Sequence, residues 1–323
     1  MSTGMSTGTS TGTARPGPRP CTSDLDGPFS WVDHGGPDRG QVVVAVHGLG
    51  GSHANWHDLA PLLAVSHRVL AVDLAGHGRT PRAGRSASVR ANCELLGRFL
   101  RQEVRRPVVL LGNSMGAAIS VLHAAAEPDS VAGLALLGPA LPRSRTDLPD
   151  RTLARHAALF AMPAVGGRTL ARRRARLGGE ALVEQTLQLT CADPGRVSAA
   201  FRRAAIQLAE ESAADPDVDA ALLEAGRSLG RLVARAGSYR ALLASVDAPA
   251  IVLQGALDRL VPPRGVRQLA ALQPSWDVHV LPDVGHVPQV EDPQGTARLL
   301  LDFLASLPVG ASVRTRSALA GAS

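Results

Sequence analysis

The sequence predicts an α/β protein: a mostly parallel sheet covered by helices on both faces, with a helical segment inserted as a cap. Three observations predict it. Short runs such as Val42-Val43-Val44-Ala45-Val46 are apolar without alternation, which suits strands buried on both faces. Stretches with helical spacing of apolar residues lie between these runs, the rhythm of a parallel sheet. Finally, about 100 residues from Pro139 to about Ser238 are rich in Ala, Leu and Arg with no convincing strand, too long for a structureless loop in a compact domain.

The elements follow in order. Residues 1–27 are dominated by Ser, Thr, Gly and Pro and bury too little to offset the entropy of ordering, which predicts a disordered leader. Phe29 to His34 reads as a short edge strand. After the Val42 run, Asn55 caps a predicted helix through Leu63, with Trp56, Leu59, Leu62 and Leu63 on one stripe. A second buried strand is expected over Arg68 to Leu74, and Ser88 opens a helix whose Cys93, Leu96 and Leu100 share a face. Val108 to Leu111 is the third strand, a helix of small residues starts at Met115, and Val131 to Leu137 is the fourth. The strand pattern resumes at Ala250 to Leu253 and at Trp276 to Leu281, and a final amphipathic helix spans Pro293 to Leu307. The expected organisation is a core of residues 28–138 and 239–308, a helical cap over 139–238 and a flexible tail over 309–323.

The composition narrows the function classes. The 323 residues are 45% hydrophobic, enough for one large core with an insertion. The net charge is +6 and the pI near 10.6, yet no lysine occurs, so every basic side chain is arginine. Nucleic acid is disfavoured, because aromatic residues make up 3% and the arginines are not gathered beside stacking partners. In the expected cap, Arg168, Arg172, Arg173, Arg174 and Arg176 form a basic cluster that reads first as a solvated helix face and otherwise as an attractor for an acidic substrate or a partner. Cys21, Cys93 and Cys191 are odd in number and far apart, which argues against disulfides or a zinc site and for a reducing compartment. No apolar run is long enough for a membrane span, and Met1 to Thr13 lacks the apolar region of a secretory signal, so a cytoplasmic location without stable membrane insertion is expected. No phosphate-binding loop, H-E-x-x-H or paired metal carboxylates occur, so neither cofactor nor metal is implied. The oligomeric state is open.

The chemistry centres on Gly112-Asn113-Ser114-Met115-Gly116, a G-x-S-x-G pentapeptide between a buried strand and a helix of small residues. A sharp strand-to-helix turn frees the serine Oγ for attack, glycines on either side remove colliding side chains, and the helix start offers a backbone N–H to a developing oxyanion. Together with His47-Gly48-Leu49-Gly50-Gly51, Asp73-Leu74-Ala75-Gly76-His77-Gly78 and Gly285-His286, this makes the chain resemble the α/β-hydrolase family over most of residues 41–138 and 249–307. The resemblance implies a triad in the order serine, acid, histidine, and a cap inserted after the fourth of these strands. On that basis Ser114 is the expected nucleophile, His286 the general base and Asp258 the acid that orients it, with Asp283 a weaker rival for the acid. The matching positions for the oxyanion hole are the backbone N–H groups of Leu49 and Met115, whereas His47 and His77 are expected to brace loops.

The expected function is therefore carboxylic-ester hydrolysis on a small, largely apolar molecule through an acyl-enzyme. The alternatives keep the triad and change the bond: carbon–carbon hydrolase, thioesterase, lactonase or perhydrolase. The loop H-G-L-G-G differs from the H-G-S-G-P-G typical of the carbon–carbon enzymes. An alternative of another class is a ligand sensor without catalysis on the same fold.

Overall fold

The computed structural model describes residues 17–37, 40–142 and 163–308. The leader up to residue 16, the tail 309–323 and residues 143–162 of the expected cap lie outside them.

Eight strands form one sheet: β1 (Arg19–Asp24), β2 (Pro28–Asp33), β3 (Val42–Val46), β4 (Arg68–Val72), β5 (Val108–Asn113), β6 (Val131–Leu137), β7 (Ala250–Gly255) and β8 (Asp277–Leu281). Their order is β1-β2-β4-β3-β5-β6-β7-β8, with β1–β2 and β2–β4 antiparallel and every later pair parallel. The α-helices are α1 (Ala60–Leu63), α2 (Val89–Phe99), α3 (Met115–Ala126), α4 (Pro163–Thr190, kinked at Gly178), α5 (Ala199–Ser212), α6 (Val218–Ala234), α7 (Ala236–Ala244), α8 (Arg264–Leu272), α9 (Pro288–Glu291) and α10 (Pro293–Ser306). Helices α4 to α7 all fall between β6 and β7, so the segment that broke the strand rhythm is dominated by helices and, among the described residues, holds no strand.

Successive residues of a strand point to opposite faces, and the packing follows that rule. Val42, Val44 and Val46 of β3, with Leu110 of β5, meet α2 and α3 on one face. Val43 and Ala45, with Val109 and Leu111, meet Trp56, Leu63 and α10 on the other. Burying a Val or Leu side chain is worth about 1.5–3 kcal/mol, and a slip of one residue would exchange the faces of a whole strand. A smaller cluster, with Leu187, Cys191 and Phe201 of the insertion against Val287 and Val290, seats the end of α4 beside α9.

Two expectations are corrected. Residues 19–24, assigned to the disordered leader, form β1, which pairs over its full length with β2; β2 is therefore an interior strand and not an edge. The helix expected from Asn55 to Leu63 is two pieces, a turn of 3-10 helix at His53–Trp56 and then α1. Ser52, not Asn55, is the N-cap of the first; the Asn55 side chain closes the box by accepting from the Ser52 N–H at 2.9 Å. Pro61 lacks an N–H and suits the first turn of α1 rather than a helix interior.

Candidate active site

Ser114 sits between β5 and α3 with φ 54° and ψ −111°. This conformation costs a non-glycine residue about 1–3 kcal/mol and persists only where the surroundings enforce it. They do so here. The Ser114 N–H donates to Leu137 O at 3.0 Å, Ala140 N–H donates to Ser114 O at 3.3 Å, and Asn113 Nδ2 donates to Leu137 O at 3.0 Å. Gly116 lets α3 press against β3, since a Cβ there would lie 2.0 Å from Val46 O. Ser114 is half-buried.

The loop carrying His286 follows β8, and Asn113 Nδ2 also donates to His286 O at 3.2 Å, tying that loop to the serine turn. The His286 ring is buried and its Nδ1 lies 2.8 Å from Asp258 Oδ2. Asp258 stands in the turn after β7, with Oδ1 accepting from the Leu260 and Val261 N–H groups at 2.8 Å each. Oδ2 also accepts from Gln254 Nε2 at 2.8 Å. Burial alone would raise the Asp258 pKa, but the facing His286 and these hydrogen bonds outweigh it and hold the carboxyl below the usual range. An ionised Asp258 fixes the proton on Nδ1 of His286 and leaves Nε2 as the acceptor. Asp283, the rival acid, is exposed, and its carboxylate makes no contact with His286.

The loop after β3 crosses the serine turn: a Cβ on Gly48 would lie 3.2 Å from Ser114 Cβ. Among the described residues, the backbone N–H groups of Leu49 and Met115 donate to no protein acceptor. His47 is fully buried; its Nε2 accepts from Leu74 N–H at 3.0 Å, which leaves Nδ1 as the donor to Gly48 O at 2.7 Å. Burial, aided by the neighbouring His77, pushes its pKa down to about 3, so the ring is a neutral strut between two loops. His77 packs on it with ring centroids 5.3 Å apart.

Two groups escaped the sequence reading, and a third, Asp73, stood in a quoted motif without a role of its own. Asp73 accepts from the His53 N–H at 2.6 Å, His53 Nδ1 at 2.8 Å and Arg79 N–H at 2.9 Å, clamping the loop after β3 to the loop after β4. Gln254 braces Asp258, and its one sequence signal is a polar residue inside the apolar run of β7. Glu291 is fully buried and accepts from Gly285 N–H at 2.7 Å, with no sequence signal beyond its nearness to His286.

A cavity of about 460 Å³ opens between the insertion and the loop after β4, with Arg82, Asp219, Glu224 and Arg227 on its wall; none of Ser114, Asp258 and His286 lines it. Among the described residues, no group of histidine, cysteine and carboxylate side chains could hold a metal ion, and no helix is long and apolar enough to cross a membrane.

A strained serine turn at the end of β5 is tied through Asn113 to the loop of the buried Asp258–His286 pair, on a mostly parallel sheet. A family model described as alpha/beta hydrolase fold matches residues 41–293. The chain belongs to that family and is a hydrolase. It is 30% identical over 291 residues, 89% of its length and 70% of the relative's, to the dihydrolipoyllysine-residue acetyltransferase component of the acetoin cleaving system of Pseudomonas putida. It is 28% identical over 294 residues, 87% of this chain and 93% of the other, to 2-hydroxy-6-oxononadienedioate/2-hydroxy-6-oxononatrienedioate hydrolase 2 of the same species. It is also 28% identical over 269 residues, 82% of this chain and 96% of the other, to a pimeloyl-[acyl-carrier protein] methyl ester esterase of Aeromonas hydrophila.

Proposed function

We propose that this protein is a cytoplasmic serine hydrolase that cleaves the carboxylic ester of a small, largely apolar molecule through an acyl-enzyme. The observation that carries the reading is the 2.8 Å contact between Asp258 and His286, tied by Asn113 to the turn that displays Ser114. His286 Nε2 takes the Ser114 Oγ proton as Oγ bonds to the ester carbonyl carbon, and the imidazolium is stabilised by Asp258. The oxyanion accepts from the Leu49 and Met115 N–H groups, which are free for it among the described residues. The tetrahedral intermediate expels the alcohol, which takes the proton from His286. Water then attacks the acyl group, gives its proton to His286, and Ser114 leaves with that proton as the acid is released.

Helices α4 to α6 act as the cap, whereas α7 packs Tyr239 and Leu243 into the core. Leu222 of α6 supports this, since its Cδ1 lies 3.4 Å from where a Cβ on Gly50 would stand, directly over the loop assigned to the oxyanion. The likeness to a methyl ester esterase favours the ester. The likeness to an oxononadienedioate hydrolase favours a second reading, in which the same triad cleaves a carbon–carbon bond beside a ketone.

Purified protein tested on p-nitrophenyl esters of graded chain length, beside a ring-cleavage diketone, separates the two. Ser114→Ala is expected to lower ester turnover by about 10⁴–10⁶-fold and to abolish labelling by a fluorophosphonate. Full labelling of the variant would remove Ser114 from the chemistry.

A further inference from the structure

The loop that carries His286 does not rest on the sheet alone. Its Gly285 is pressed so close to the end of α4 that a Cβ would lie 2.5 Å from Thr190 O, and the His286 N–H donates to that same Thr190 O at 2.6 Å. Arg196, just beyond α4, donates from Nη1 to Asp283 O at 2.7 Å, and Arg259 Nη1 donates to Gln188 O at 3.2 Å. At the centre of this seam is Glu291, whose side chain is 0% exposed. Its Oε2 accepts from Gly285 N–H at 2.7 Å and Ala192 N–H at 3.1 Å, while Oε1 accepts from Asp193 N–H at 2.7 Å. A carboxylate buried to this degree is costly unless both oxygens are satisfied. Here its charge is answered by three backbone N–H groups from two separate chain segments and by the Arg196 guanidinium at 4.0 Å.

We propose that Glu291 is a positioning residue for the triad: its buried carboxylate bolts the His286 loop to the turn that follows α4 in the inserted helical segment, so the imidazole keeps its place only while that segment is seated. The inference rests on the reading of Ser114, Asp258 and His286 as a triad. It adds that the insertion takes part in assembling it. The side chain must be an acceptor on both oxygens, because all its partners are N–H groups. A glutamine would turn its NH₂ either toward Asp193 N–H or toward Gly285 and Ala192 N–H, opening one side of the seam.

The test compares wild type with Glu291→Gln and Glu291→Asp, counting folded active sites by fluorophosphonate titration and following the Nδ1–H proton of His286 by NMR, with His286→Ala to identify that resonance. Asp33→Asn is the stability comparator, since Asp33 is a buried carboxylate on β2 bonded to Arg19 and Arg68 and remote from the site. For Glu291→Gln the expectation is a fall in kcat per titrated site of about 10–100-fold, as for a catalytic group displaced by about an ångström, with KM changed less than about threefold. The imidazole resonance is expected to broaden or vanish, and Glu291→Asp to show the same effects in smaller degree. Asp33→Asn is expected to lower Tm while leaving kcat and the resonance as in wild type. If either Glu291 variant folds with kcat per site within about twofold of wild type and an unchanged resonance, Glu291 is only structural and the proposal fails. If wild type and Ser114→Ala turn out equally active toward esters, or equally unlabelled by the fluorophosphonate, the triad reading fails, while the resonance still decides whether Glu291 holds the ring. Should Glu291→Gln fail to fold, Glu291→Asp decides by the same two readouts.

Discussion

At the scale of single residues, the site is a set of local costs held in place by contacts from far along the chain. The strained Ser114 turn depends on the bonds to Leu137 and Ala140 and on the close approach of α3 to β3 at Gly116. Gly116→Ala places a methyl group 2.0 Å from Val46 O, so α3 must move off the sheet and the serine must move with it. The expected result is a loss of about 1–3 kcal/mol in urea unfolding together with a fall in kcat far larger than that of a surface alanine substitution. Unchanged kcat would mean that the turn tolerates displacement. Ser114, Asp258 and His286 could be proposed from the sequence because each follows a recognisable strand, and the chain order then narrows the choice. Glu291 could not, because what gives it meaning is a pair of partners at Ala192 and Asp193 that only folding brings near, and Gln254 could not because its bond to Asp258, although short in sequence, depends on the turn after β7. The same holds for Asp73, whose clamp on His53 spans 20 residues.

At the scale of elements, buried strands announced themselves and the outermost one did not. Strands β3, β5 and β7 are buried at every position, and their apolar runs are the direct imprint of two covered faces. Strand β1 reads Arg-Pro-Cys-Thr-Ser-Asp with one buried residue, Ser23, because it is held through its backbone to β2 rather than by side-chain burial. Composition therefore assigned it to the leader. A variant lacking residues 1–24 leaves the outer edge of β2 unpaired, and an unpaired edge is a template for association. Such a variant is expected to melt at a lower temperature and to self-associate with rising concentration in light scattering. A monomer of unchanged Tm would show that β1 contributes little. The split after His53–Trp56 was hidden for a related reason, since the helical stripe of Trp56, Leu59 and Leu63 survives a break at residues 57–59, where Pro61 has no N–H to bond back to His57 O as a continuous helix would.

At the scale of the whole molecule, several imidazoles are buried in neutral form. Burial, with the nearby His53 and His57, pushes His34 down to about 4, burial and His77 push His47 to about 3, and burial also lowers His77 and His123. Each takes up a proton more readily in the unfolded chain, whose histidines titrate near 6.5. Below that pH the unfolded state binds more protons, so stability rises with pH through this window. It is complete above pH 6.5 and is lost as the pH falls toward about 4 and then about 3. Urea midpoints measured from pH 8 to pH 4 should therefore decline on the acid side, and a flat profile would contradict the burial of these rings. The mostly parallel sheet and the place of the helical segment were legible as a rhythm of strands and helices. The seam between insertion and core was not, because it consists of hydrogen bonds to backbone atoms, which leave no periodicity in the sequence.

The thiols carry one practical consequence. Burial pushes Cys93 and Cys191 up to about 12, so both remain protonated and shielded at neutral pH, whereas Cys21 lies partly open on β1. A maleimide dye or a solid support thus has a single anchoring point, at the sheet margin opposite β8, and in a chain with no lysine amine chemistry offers no competing side chain. The folded protein can be tethered in one orientation without altering any of its residues.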